Sequence, residues 1–79
     1  MYSITVVINN GEADIFKMIE IKDDDFPHVK YLEALKGAEE LFDRHVITSY
    51  IVTLYKYNEG KGNNAEQLIL KHSRKANIH

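Results

Sequence analysis

The sequence predicts an α+β fold: a three-stranded antiparallel sheet in chain order ββαβα, sheet order 2-1-3, with helices packed on it. Three observations carry this reading. Tyr2, Ile4, Val6 and Ile8 alternate with Ser3, Thr5 and Val7, the period of a half-buried strand. Tyr31, Ala34, Leu35, Ala38, Leu41 and Phe42 recur at helical spacing and form one apolar stripe. Val46 to Tyr57 is dense in β-branched and aromatic residues and reads as a third strand.

The elements follow in order. Asn9-Asn10-Gly11 closes the first strand, and Asn-Gly is a strong hairpin signal because both residues tolerate positive φ. Ala13 to Lys22 is the returning strand. Ala13, Ile15, Ile19 and Ile21 face the core with Lys17 the exception, while Phe16 and Met18 put apolar groups on the opposite side. Asp23-Asp24-Asp25-Phe26-Pro27 then opens a helix. Pro27 suits the first helical position, the aspartates suit the positive end of the helix dipole, and Arg44 and His45 suit the negative end. After the third strand, Asn58 to Asn64 is a polar, glycine-containing loop. Asn64 with Gln67 resembles a capping box for a second helix, in which Ala65, Leu68, Ile69, His72 and Ala76 share a face. Residues 76–79 are expected to fray from a single domain spanning 1–79. The third strand pairs beside the first in order 2-1-3, the alternative being a parallel crossover beside the second.

The third strand does not alternate cleanly. Val46, Tyr50, Val52 and Leu54 occupy one side, Ile47, Ile51, Tyr55 and Tyr57 the other. A strand wetted on one face shows one apolar set, so this pattern predicts cover on both faces. Val7, Phe16 and Met18 extend the same property to the outer face of the whole sheet. Covering half of such a face, on the order of 300 Å², is worth several kcal/mol at about 25 cal/mol per Å². Two covers fit: the second helix folded across, or another chain.

Composition narrows the functional classes. At 44% hydrophobic and 28% charged the chain has the balance of a soluble globular protein. It has no cysteine, which excludes disulfides, thiolate metal sites and a cysteine nucleophile. No targeting segment or membrane-length apolar run is visible, so the expected location is cytoplasmic, away from membrane. The net charge of −2 hides a polarity. Met1 to His45 carries five basic against ten acidic residues; Val46 to His79 carries five basic against two acidic. Such asymmetry favours oriented association with a charged partner or head-to-tail self-contact.

Catalytic and metal patterns are not found. Asp23-Asp24-Asp25 is not continued by the alternating ligands and turn glycine of a calcium loop. His28, His45, His72 and His79 have scattered spacings with no His-x-x-x-His pair. Both His45 and His72 fall on the apolar sides of their helices and read as hydrogen-bonded residues. Ser3, Ser49 and Ser73 lack a nucleophile elbow. Gly60-Lys61-Gly62 lacks the spacing of a phosphate loop. The chain is therefore read as non-enzymatic, with no cofactor and no metal.

In build (short, cysteine-free and acidic, with two strands, a helix and another strand) the chain resembles small phage-encoded accessory proteins. Some of these inhibit host enzymes or defence systems, anti-CRISPR proteins among them. The resemblance is one of size and architecture, and it implies action by occupying another protein's surface.

The leading reading is a protein-binding module, homodimeric, acting as an inhibitor or adaptor. Its interface is Val7, Phe16, Met18, Ile47, Ile51, Tyr55 and Tyr57. The acidic groups Asp23, Asp24, Asp25, Glu39, Glu40 and Asp43 would face a basic, nucleic-acid-binding surface of the partner. The alternative is a single-stranded nucleic-acid binder. There Tyr50, Tyr55 and Tyr57 stack bases while Lys56, Lys71, Arg74 and Lys75 neutralise phosphate.

Overall fold

A computed structural model describes residues 1–22, 25–57 and 66–76. The strands are β1 (Tyr2–Asn9), β2 (Asp14–Ile21), β3 (Ser49–Tyr57) and β4 (Glu66–Lys75), and the helix α1 spans Pro27–Asp43. They form one four-stranded antiparallel sheet in the order β2-β1-β3-β4 with α1 on one face. The order 2-1-3 thus holds for the first three strands, and a fourth is added.

The correction lies in the last element. The segment expected to be a helix is β4, antiparallel to β3. Two features disguise it. Glu, Gln, Leu, Lys and Arg are good helix formers, and the strand is bulged. Leu70 lies opposite Leu54 and Leu68 opposite Tyr55, leaving Ile69 as the extra residue. The bulge interrupts the two-residue alternation, so the Leu68-Ile69-Leu70 triplet resembles part of a helical stripe. The capping residue Asn64 and the tail 77–79 lie outside the described residues. Ala76 itself is tied down, its N–H donating to the Thr48 carbonyl at 2.8 Å.

The β1–β2 hairpin turns on its asparagines. The Asn10 side-chain oxygen accepts from the Glu12 and Ala13 amides, and Gly11 supplies the positive φ of 96°. The start of α1 differs from expectation. Phe26, at φ 50°, is the N-cap and offers no side-chain acceptor, and no acidic residue lies in the first turn. Asp25 is spent on the preceding loop, its N–H donating to the Lys22 carbonyl, and Asp23 and Asp24 lie outside the described residues. At the other end, the His45 amide bonds to the Phe42 carbonyl and the Val46 amide to that of Leu41. These bonds make a Schellman closure with His45 in the left-handed position, φ 62°. His45 is therefore exposed in a turn and not on an apolar helix face.

Tyr50, Val52 and Leu54 point beneath α1 with Ile4, Ile21, Tyr31 and Ala38 to form the buried core. The opposite set of β3, Ile51, Tyr55 and Tyr57, faces away. Residue 47 breaks the parity, because the chain before Ser49 is not strand: Ile47 is 4% exposed and belongs to the core. The Tyr31 hydroxyl donates to the Val52 carbonyl at 3.0 Å, pinning helix to sheet.

Two stability outcomes follow from this packing. Leu54→Ala, at a site with no exposure, is expected to cost about 2–5 kcal/mol in urea unfolding. His45→Gly relieves the left-handed strain and is expected to add about 1 kcal/mol.

Candidate functional site

The site is built by the sheet register. Because α1 covers one face only, every second residue of each strand is presented on the other. Reading across β2, β1, β3 and β4, four rows result. They are Asp14, Asn9, Ser49 and Lys75; Phe16, Val7, Ile51 and Ser73; Met18, Thr5, Thr53 and Lys71; and Glu20, Ser3, Tyr55 and Leu68. Phe16 is 64% exposed, Met18 51%, Leu68 50% and Ile51 39%. No described segment of the chain lies over them.

The centre of this face is held by hydroxyls. Thr5 and Thr53 hydrogen-bond side chain to side chain across β1 and β3. Ser3 donates to the Tyr57 hydroxyl at 3.2 Å, which donates to the Glu66 carboxylate at 3.1 Å. Ser3 and Thr53 are buried although nothing from α1 reaches them. Their hydrogen bonds meet the cost of enclosing hydroxyls, and the neighbouring tyrosines and apolar side chains close over them. The face also has an electrical direction: Asp14 and Glu20 border it on β2, Lys71 and Lys75 on β4.

Of the expected interface residues, Val7, Phe16, Met18, Ile51, Tyr55 and Tyr57 come together here, and Ile47 does not. Leu68 completes the apolar strip and was missed because the period of its segment reads as helix. The acidic set is not one surface. Asp25 precedes α1, whereas Glu39, Glu40 and Asp43 lie near its end, about 20 Å away at 1.5 Å per residue. Glu39 stands 3.8 Å from His72 and Asp43 3.5 Å from Arg74, so part of its charge is answered within the chain.

The nucleic-acid set is split between faces. Tyr50 is 1% exposed beneath α1 and cannot stack a base. It meets Phe42 edge-on at 5.7 Å and stacks on His72 at 6.2 Å. Arg74 lies over the Phe42 ring at 4.6 Å, and Lys56 over Tyr2 at 5.9 Å, both in rows facing α1. Only Lys71 and Lys75 share the outer face with Tyr55 and Tyr57.

A depression of about 490 Å³ at one end of the sheet is lined by Asn9, Thr48, Ser49, Ser73, Arg74 and Lys75, among others. Among the described residues it is lined by hydroxyls and cations, with no histidine or carboxylate to act as a base. Among the described residues no three His, Asp or Glu side chains converge on a point that could hold a metal, and no helix is long and apolar enough to cross a membrane. Comparison with known protein families, curated proteins and solved structures gives no match.

Tyr50 carries a further oddity. Its buried hydroxyl has no hydrogen-bond partner among the described residues. Burial pushes its phenol above the ordinary 10.0; Glu39 and Asp43 add to the rise and Arg74 opposes it. Tyr31 shifts the same way, mainly through burial. Both shifts favour the neutral phenol in the folded state. Their stabilisation is whole below pH 10 and is lost as pH rises towards the folded-state values. Tyr50→Phe should therefore match or exceed the parent in stability at neutral pH and lose less of it above pH 10. Chemical denaturation at the two pH values checks both halves.

Proposed function

We propose that this chain is a non-enzymatic protein-binding module, working as a homodimer that inhibits or adapts another protein, with the outer sheet face as its contact surface. The observation that carries the reading is the exposed apolar cluster of Phe16, Met18, Val7 and Ile51, with Leu68 beside Tyr55 two rows away, on a face that the described chain leaves uncovered. Contiguous apolar surface of this kind marks contact sites. The half-buried Thr5–Thr53 hydrogen bond ties β1 to β3 beneath this face, and the acidic and basic borders give a partner one preferred orientation.

The chain's build supports the same reading. Some small phage-encoded antagonists of host-defence or nucleic-acid-processing proteins act by covering a surface, a mode that needs no catalytic group. A nucleic-acid binder is the lesser reading, because its proposed contacts divide between two faces of the sheet.

Ile51→Lys combined with Leu68→Lys alters the strip and leaves the core alone, so the far-ultraviolet circular dichroism should be unchanged. Affinity capture from the source cells should recover a partner with the parent chain and lose it with this variant. Equal recovery by both chains would rule the outer face out. A labelled oligonucleotide that shifts at low salt would instead favour the nucleic-acid reading.

A further inference from the structure

The two edges of the sheet are unequal. β4 carries Lys71, Arg74 and Lys75, contains the bulge at Ile69, and is joined to α1 through Glu39–His72 and Asp43–Arg74. A bulge and cover by a neighbouring element are ordinary means by which an edge strand avoids pairing with another chain, and although both edges carry charges only β4 has these two. β2 is straight, eight residues long and exposed along most of its length. It shows Phe16 and Met18 on one face and Ile15 on the other. Its one inward-facing charge is Lys17.

The phase of the ladder is fixed at its ends. The Asn10 amide bonds to the Ala13 carbonyl, while the Tyr57 amide bonds to Met1 and the Thr48 amide to Asn9. Odd residues of β1 thus bond towards β3 and even residues towards β2. Ile15, Lys17, Ile19 and Ile21 then spend their main-chain groups on β1, and Asp14, Phe16, Met18 and Glu20 point theirs off the edge.

A second copy can pair there antiparallel about a two-fold axis normal to the sheet. That symmetry keeps each face on its own side, so the axis must pass through a residue and not between two. Centred on Lys17, the pairing opposes Lys17 to itself and Asp14 to Glu20, like charges that outnumber the opposite pair Glu12 with Lys22 at each end. Centred on Phe16, it opposes Glu12 to Glu20 and uses little of the strand. Centred on Ile19, it brings no opposite charges together. Centred on Met18, it sets Asp14 of one copy opposite the other copy's Lys22, the residue just past the end of β2, at both ends. The same register places Ile15 opposite Ile21 and Phe16 opposite Glu20, with no like charges directly opposed between Asp14 and Lys22. Opposite-charge cross-strand pairs stabilise and like-charge pairs destabilise.

We propose that β2 is the dimer seam, two copies pairing edge to edge in the register centred on Met18. The result is one continuous sheet of twice the width, with both helices on one side. On the other side the two Phe16–Met18 strips meet at the axis and form a single two-fold-symmetric surface. This inference rests on the dimer of the reading above and not on its foreign partner.

Sedimentation of the full chain through a micromolar dilution series tests it. The parent should sediment as a dimer, and Lys22→Glu should weaken association about tenfold by opposing like charges at both ends. Asp14→Lys added to Lys22→Glu should restore it. Glu20→Pro removes an outward amide that β1 does not use, and should give a monomer with the sheet signal retained. Should that variant unfold, the charge exchange alone decides. The Ile51→Lys, Leu68→Lys chain should remain dimeric even where it loses its partner. A monomeric parent, failure of the double exchange to restore association, or dissociation of the Ile51→Lys, Leu68→Lys chain would each overturn the seam. A monomer that still captures a partner through the outer face would overturn the seam and the dimer, and leave the outer contact surface of the proposed function standing.

Discussion

A helix about 10 Å across, laid on strands about 4.8 Å apart, covers roughly two of them. That constraint governs this molecule. The sheet has four strands and one helix, and α1 lies over β3 and β1. The fully enclosed side chains, Ile4, Tyr50, Val52 and Leu54, come from those two strands. β2 and β4 are held by their ladders and by what reaches them sideways, and no described residue covers the far face. The radius of gyration, 14.0 Å, exceeds the roughly 12 Å of a closed domain of this length, as a thin slab should.

Within that constraint the chain treats its surfaces differently. On the β4 side it compensates: Phe42, Tyr50, His72 and Arg74 build an aromatic and cationic flank against the end of α1. On the β2 side it does not. On the outer face, small hydroxylated residues in the middle bond to one another while larger apolar groups rise around them. The face is thereby both apolar and ordered, which lowers the entropy that a contact must overcome.

Much of this was legible in the sequence because its signals are local. The strict alternation of β1, the asparagine turn and the apolar stripe of α1 each depend on a few neighbouring residues. The double-sided pattern of β3 was also readable: one set lies beneath α1, and the other shares the opposite face with Phe16 and Met18, where no described residue covers it. What escaped was set by distant contacts. β4 is a strand because β3 offers it an edge, which outweighs the helix propensity of Glu66 to Lys75. Its bulge erased the alternation that would have revealed it. Ile47 was assigned to the wrong side because parity was carried through a stretch, before Ser49, that is not extended. Tyr50 looked like a base-stacking residue until the position of α1 placed it underneath.

The sheet order has a consequence for how the chain comes into being. β1 is an inner strand, yet it is made first; its partner β3 begins only at Ser49. At about 5–20 residues per second of synthesis, the side of β1 that β3 will occupy stays open for several seconds after β1 emerges. During that interval, of this sheet only the β1–β2 hairpin can form, and two-stranded ribbons are marginal by themselves. The nascent chain must therefore wait, with its most apolar strand half paired, until the long-range contact closes.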